Sequence, residues 1–267
     1  MIGQKRLQSQ IGEILQSGKF PRFSIFIGEE GSGRKTIINQ MLSELGDIQE
    51  CEISAEEIRN VIEQAYTTIT PTVFLIPNAD TMSVSAENAL LKVTEEPPNN
   101  AYFVMTLINA DNTLPTIRSR ATLFYMDSYT SDEILDYYHR SISGEDDEII
   151  SRYCLVPQDV DKVCAYNIQE FQSFVQLTID NIEKVSGANS FKIGSRINLG
   201  SDDKKYDLSL FWKAFRSECL KRMPTDPLKY VKGINITSKY LGERRIVGLN
   251  AQMAFDNWLL DIRKAWM

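Results

Sequence analysis

The 267-residue chain has a single histidine and four cysteines. His139 lies in the polar-aromatic run Asp136-Tyr137-Tyr138-His139-Arg140, read as a helix surface, and with no second histidine, chemistry built on histidine pairs is excluded. Cys51, Cys154, Cys164 and Cys219 are scattered without a C-x-x-C spacing, so neither a disulfide framework nor a zinc site is signalled. They read as small buried or half-buried apolar residues. Long hydrophobic runs are missing too: nowhere do about 18 uninterrupted apolar residues occur. The opening Met1-Ile2-Gly3-Gln4-Lys5 offers no apolar stretch of the signal-peptide kind, and the expectation is a cytoplasmic protein without membrane attachment. Basic charge is in short supply, since 29 Lys and Arg against 36 Asp and Glu leave a net charge of -7. That balance argues against a strong sequence-independent hold on a phosphate backbone by this chain alone. Any nucleic-acid contact is local or shared with partners.

What is present is a core of ordinary size, with 43% hydrophobic and 24% charged residues, enough for one large domain or two to three small ones. Short, nearly unbroken runs rich in β-branched and aromatic residues occur at 23–27, 73–76, 102–107 and 122–125, as in strands buried on both faces. Between them helices are predicted near 34–45, 55–66 and 83–95. Ser83 caps the last of these with Glu87 in the first turn, and Pro97-Pro98 ends it. Strands alternating with helices imply right-handed βαβ units and a parallel sheet, giving an α/β domain over 1–128. From 129 to 183 the pattern is helical, with apolar Ile134, Leu135, Ile149, Ile150, Val160, Val163, Phe171, Phe174 and Val175, and a small helical domain is expected. The Gly-, Ser- and Asn-rich stretch over 185–203 reads as a linker or long loop. A last helical domain over 184–267 contains Leu208-Ser209-Leu210-Phe211-Trp212-Lys213-Ala214-Phe215 and a final helix from Ala251 to Trp266. Their apolar faces belong to the core or in part to neighbouring subunits.

Gly28-Glu29-Glu30-Gly31-Ser32-Gly33-Arg34-Lys35-Thr36 follows a predicted strand and opens a predicted helix, the setting of a phosphate-binding loop. Aligned on Gly28 and Gly33, the position for lysine holds Arg34 and the position for the Mg²⁺-binding Ser or Thr holds Lys35. Sliding by one recovers Lys35-Thr36 and leaves one residue too many after Gly28. A guanidinium is a good oxyanion partner, but Lys35 cannot ligate a cation. The bare motif leaves nucleotide binding open. In P-loop ATPases the second strand delivers an acidic Mg²⁺ ligand, and here 73–76 delivers Pro77 and Asn78. Asp80 is read as a cap or solvated residue ahead of the next helix.

Two further blocks follow: Asn88-Ala89-Leu90-Leu91-Lys92-Val93-Thr94-Glu95-Glu96-Pro97-Pro98, and Pro115-Thr116-Ile117-Arg118-Ser119-Arg120. The ordered set of strand and Gly-rich loop, strand and Asn78-Ala79-Asp80, then these two blocks, resembles the bacterial clamp-loader AAA+ family, and within it the delta-prime type of subunit of DNA polymerase III. The resemblance in motifs covers about the first 128 residues; the rest is similar only in layout. It implies an AAA+ parallel-sheet domain (1–128), a helical lid (129–183) and a helical collar for oligomerisation (184–267). Ser119-Arg120-Ala121 is similar to the family's Ser-Arg-Cys motif, which makes Arg120, with Ser119 beside it, an arginine finger acting in trans on the adjacent subunit's ATP site. The bland alternative is that Arg120 pairs with a carboxylate of its own fold.

Ala121 departs from the family's cysteine. The four-cysteine zinc module usual between the phosphate loop and the second strand is reduced to Cys51, so no metal is expected. No lid arginine that senses nucleotide is evident near Leu155-Val156-Pro157-Gln158-Asp159. These departures imply a degenerate, nucleotide-silent loop (Gly28, Gly31, Gly33, Arg34, Lys35, Thr36) with no cofactor of its own, ATP and Mg²⁺ being held by neighbours. The implied partners are tau/gamma-like ATPase and delta-like clamp-loader subunits in a hetero-oligomer, with the sliding clamp and primed DNA met through the complex. Two alternatives stay open: an ATPase using Lys35 and Thr36 in a shifted loop, and a pure assembly scaffold. On the helix around Asn88, Leu90, Leu91 and Val93 read as sheet-packing residues, and the resemblance adds Asn88, Lys92 and Glu95 at or near subunit contacts.

Overall fold

The computed structural model describes residues 3–141, 144, 146–184, 193–198, 205–243 and 251–267. The chain divides into two compact units, Met1–Tyr129 and Thr130–Met267. The first carries β1 (Phe23–Ile27), β2 (Asp47–Glu50), β3 (Thr72–Ile76), β4 (Ala101–Leu107) and β5 (Thr122–Tyr125), in the spatial order β2-β3-β4-β1-β5. Every pairing is parallel. The four runs read as strands are β1, β3, β4 and β5. Each residue of β1 and β3 is buried, because helices cover both faces of the sheet.

The period of two sorts these side chains between two layers. Phe23, Ile25, Ile27, Phe74, Ile76, Phe103 and Met105 face Ile58, Val61, Leu90 and Val93 of α3 (Ala55–Thr67) and α4 (Val84–Glu95). Phe26, Val73, Leu75, Val104 and Phe124 face Leu7, Ile11, Ile37, Ile38 and Leu42 of α1 (Lys5–Gln16) and α2 (Arg34–Leu42). The expected helices correspond to α2, α3 and α4, while α1 and β2 were not foreseen.

Helix ends follow local chemistry. Ser54 accepts the Glu57 N–H to cap α3, and Ser83 accepts the Ala86 N–H to cap α4. Glu87 takes no part in that cap, contrary to expectation; it is buried and reaches elsewhere, as described below. At Gly46, between α2 and β2, an added Cβ lies 1.9 Å from the Pro71 carbonyl oxygen. Because backbone must move, Gly46→Ala is expected to cost about 3 kcal/mol and to lower the Tm of the first unit by roughly 10 °C; an unchanged melting curve contradicts this.

The second unit contains α6 (Ser131–Ser141), α7 (Asp147–Tyr153), α8 (Pro157–Cys164) and α9 (Ile168–Asn181), the short parallel pair β6 (Ile197–Asn198) and β7 (Tyr206–Asp207), then α10 (Leu208–Arg222), α11 (Pro227–Glu243) and α12 (Ala251–Trp266). The expected 129–183 and 184–267 regions both fall in it, Tyr129 apart. Most of the stretch read as a loop over 185–203 lies outside the described residues. Helix α10 is buried nearly all round, through Leu208, Leu210, Phe211, Trp212, Ala214, Phe215 and Cys219. Its rings join Phe174, Phe255 and Trp258 in one aromatic cluster. The apolar faces of α10 and α12 are therefore mostly core; Met253 and Leu260 of α12 are exposed.

Cys51, Cys154 and Cys219 are buried and Cys164 is half-buried, all as free thiols. Burial pushes the Cys51 and Cys219 thiols up to about 12 and Cys164 to about 11, keeping them neutral. His139 is half exposed on α6, its Nε2 3.2 Å from Asp147 Oδ2. Among the described residues no helix is long and apolar enough to cross a membrane.

Candidate nucleotide loop and arginine site

The central strand β1 ends at Ile27, and the Gly28 N–H still donates to Leu107 O at 3.0 Å, holding the start of the loop to β4. A Cβ on Gly28 would stand 2.5 Å from Met126 Cγ, so a side chain here has no room. The chain turns through Gly31 (φ 78°) and Gly33 (φ 85°), left-handed conformations open to glycine at no steric cost. Ser32 N–H donates to Glu29 O at 3.2 Å, and Tyr129 donates its hydroxyl to Ser32 O at 2.8 Å, bracing the loop from the end of the unit. With Gly33 as its cap, α2 begins at Arg34.

Four residues separate Gly28 from Gly33, and Arg34 and Lys35 take the first two helical positions. Arg34 is buried, whereas Lys35 and Thr36 are exposed. The Lys35 ammonium pairs with the Glu50 carboxylate at the end of β2. The shifted alignment would need the Lys35 ammonium turned to the loop, and it is held at Glu50 instead.

At the end of β3, Pro77 leads into Asn78, whose backbone is left-handed (φ 50°) and whose N–H donates to Thr106 Oγ1 at 2.9 Å. Asp80 is neither a cap of α4 nor solvated, which corrects the expectation. It is buried and accepts the Ile108 N–H at 2.8 Å, the Asn109 N–H at 3.3 Å and Asn112 Nδ2 at 3.1 Å. Its carboxylate fastens the loop after β4 and satisfies backbone donors that the end of the strand leaves open.

The second cluster is built on α4. Glu87 and Glu95 lie eight residues apart, which puts them on one side of the helix about 12 Å apart along its axis. Glu87, buried, accepts the Leu114 N–H at 3.2 Å, just before the short helix α5 (Pro115–Arg118). Glu95 Oε1 accepts from Arg120 Nη2 at 2.5 Å, and Thr116 O accepts from Arg120 Nη1 at 2.7 Å. Ser119 Oγ donates to the same Thr116 carbonyl at 3.1 Å. Arg118 points the other way and pairs with Asp111. Arg120 thus stands on the turn between α5 and β5, with its side chain 33% exposed and braced by its own subunit. The pairing of Arg120 with a carboxylate of its own fold is the alternative given above; that Glu95 supplies it and that Glu87 holds Leu114 was not foreseen, and their i, i+8 spacing on a helix that packs against the next motif was the available signal.

A parallel sheet in this order, a glycine loop after its central strand and a helical second unit agree with an α/β AAA+ fold. Residues 43–130 match the family model described as DNA polymerase III, delta subunit. The chain is 34% identical over 77 residues to the delta' subunit of DNA polymerase III from Yersinia pestis, a match covering 28% of this chain and 23% of that protein. It is 25% identical over 169 residues to the gamma subunit from Buchnera aphidicola (51% and 47%), and 23% identical over 177 residues to the tau subunit from Bacillus subtilis (54% and 31%). These matches span less than half the length of each of those proteins. Among solved structures, a DNA polymerase III gamma subunit-related protein of Thermotoga maritima superposes with a TM-score of 0.56 at 16% identity, covering 98% of this chain and all of that one. The RuvB Holliday junction branch migration motor of the same organism gives 0.51 at 16%, covering 97% and 87%. Those two share the fold. Taken together, the matches support a bacterial clamp-loader AAA+ family for this chain, with gamma, tau and delta-prime subunits among its relatives.

Proposed function

We propose that this chain is a delta-prime-like clamp-loader subunit that does not hydrolyse ATP itself and lends Arg120 to the nucleotide site of a neighbouring ATPase subunit while a sliding clamp is loaded onto primed DNA. The observation that carries the reading is the contrast between its two sites: Arg120 is presented at the surface on a braced turn, whereas the chain's own loop has given up its cation chemistry. Lys35 stands where a hydroxyl would ligate Mg²⁺ and is committed to Glu50. Asn78 follows Pro77 where a carboxylate is needed, and Asp80 is consumed by backbone donors. The residues present do not fit Mg²⁺-ATP. In trans, a guanidinium with its planar fork offsets the charge spread over a transferring phosphoryl group. Tau/gamma-like and delta-like subunits are the partners this role requires, with the C-terminal helices holding the ring and the clamp and DNA reached through it.

Calorimetry of the purified chain with ATP and Mg²⁺ is expected to give no binding isotherm, and Lys35→Ala to leave the ATPase of a reconstituted complex unchanged. Micromolar, Mg²⁺-dependent binding lost in Lys35→Ala overturns the reading. A scaffold role is the second reading, favoured by the Glu95 and Thr116 contacts that already occupy Arg120; substitution of Arg120 separates the two.

A further inference from the structure

We infer that Glu95 is a positioning residue for Arg120, fixing the guanidinium so that its remaining donors are presented outward; this rests on the proposed role of Arg120 in trans. An arginine on an exposed turn has many rotamers, and an interaction needed only in a transition state is weakened when its geometry must be found at the moment of reaction. Here both terminal nitrogens are tied, Nη2 to Glu95 at 2.5 Å and Nη1 to Thr116 O at 2.7 Å. Two of five N–H donors are so engaged, which defines the plane of the fork and leaves three for an oxyanion.

The position of Glu95 is not explained by its own helix. It is the last residue of α4, with Glu96 beside it, and carboxylates at a helix C-terminus oppose the macrodipole. Arg120 offsets that charge. The stem of the same segment is fixed by Glu87 through the Leu114 N–H, so one helix holds the 114–120 stretch at both ends. Because Glu95 is 54% exposed and Arg120 33%, the pair contributes little to folding stability. Loss of Glu95 is therefore expected to show in rate rather than in stability.

The test uses the reconstituted complex with wild-type chain, Glu95→Gln, Arg120→Ala and the double variant, assembly being checked by size-exclusion chromatography. Glu95→Gln is expected to lower the kcat of the complex's ATPase about tenfold with KM unchanged, Glu95→Asp to recover part of it, and Glu95→Gln to add no loss in the Arg120→Ala background. An equal loss in both backgrounds shows that Glu95 acts elsewhere and overturns the inference. So does a faster rate in Glu95→Gln, which would make Glu95 a competitor for the guanidinium. If Arg120→Ala alone leaves the rate unchanged, the trans role itself fails, and the inference with it.

Discussion

Replacing Asp159 by alanine is expected to destabilise the second unit by about 3–5 kcal/mol, read as a lower urea midpoint at unchanged slope. Asp159 Oδ2 accepts from Lys213 Nζ at 2.7 Å and from the N–H groups of Leu155 and Val156 at 3.0 and 3.2 Å. Both charged side chains are at least nine-tenths buried. Alanine would take a buried carboxylate away from the Lys213 ammonium and from two backbone N–H donors in a low-dielectric setting. Lys213→Met is milder, about 1–3 kcal/mol, because two N–H donors still hold the carboxylate. A second buried node lies one turn along α10, where Glu218 accepts from Arg152 at 2.8 Å and from the Tyr153 hydroxyl at 2.6 Å. Burial, reinforced by Glu218, pushes the Tyr153 phenol upward and keeps it a donor. The two nodes join α7 and α8 to α10, so residues 130–267 are expected to unfold in one transition. A midpoint unmoved by Asp159→Ala contradicts this account.

The larger effect is kinetic. Arg120→Ala in an assembled complex is expected to slow hydrolysis at the neighbouring site by about 10³-fold, the lower end of the range for arginine fingers. Folding should hardly change, since Arg120 is part exposed and its pairing with Glu95 is of the surface kind. Arg120→Lys is not expected to restore the rate. An ammonium is a point charge without the planar fork by which Arg120 holds Glu95 and Thr116 O from two separate nitrogens. A scaffold role for Arg120 gives the reverse pattern, with little change in rate and a small loss of stability.

How much of this was legible depends on what each residue's neighbours are. Strands β1, β3, β4 and β5 were readable because burial on both faces demands unbroken apolar runs. Strand β2 was not, as an edge strand with one neighbour whose residues Asp47, Gln49 and Glu50 face water. Helix α1 has the right spacing, with Leu7 and Ile11 buried four apart, but Gln4 provides no side-chain cap and hence no start signal. The glycine loop was legible in place and ambiguous in register; α2 starts at Arg34, after a left-handed Gly33. Asp80 could not be read, because its partners lie 28 and more residues further on. The two motif blocks were recognised separately, yet they are joined by Glu95 with Arg120 and, one residue before each block, by Glu87 with Leu114. The i, i+8 spacing of Glu87 and Glu95 puts both carboxylates on one side of α4, but which groups they meet is set by the packing of α5 on α4.

The central claim is that this chain acts on a nucleotide held by another subunit, and single-turnover hydrolysis of ATP bound beforehand to a reconstituted complex tests it most directly. With the wild-type chain exchanged for Arg120→Ala, at equal assembly and equal bound ATP, the rate is predicted to fall about 10³-fold; an unchanged rate would contradict the account.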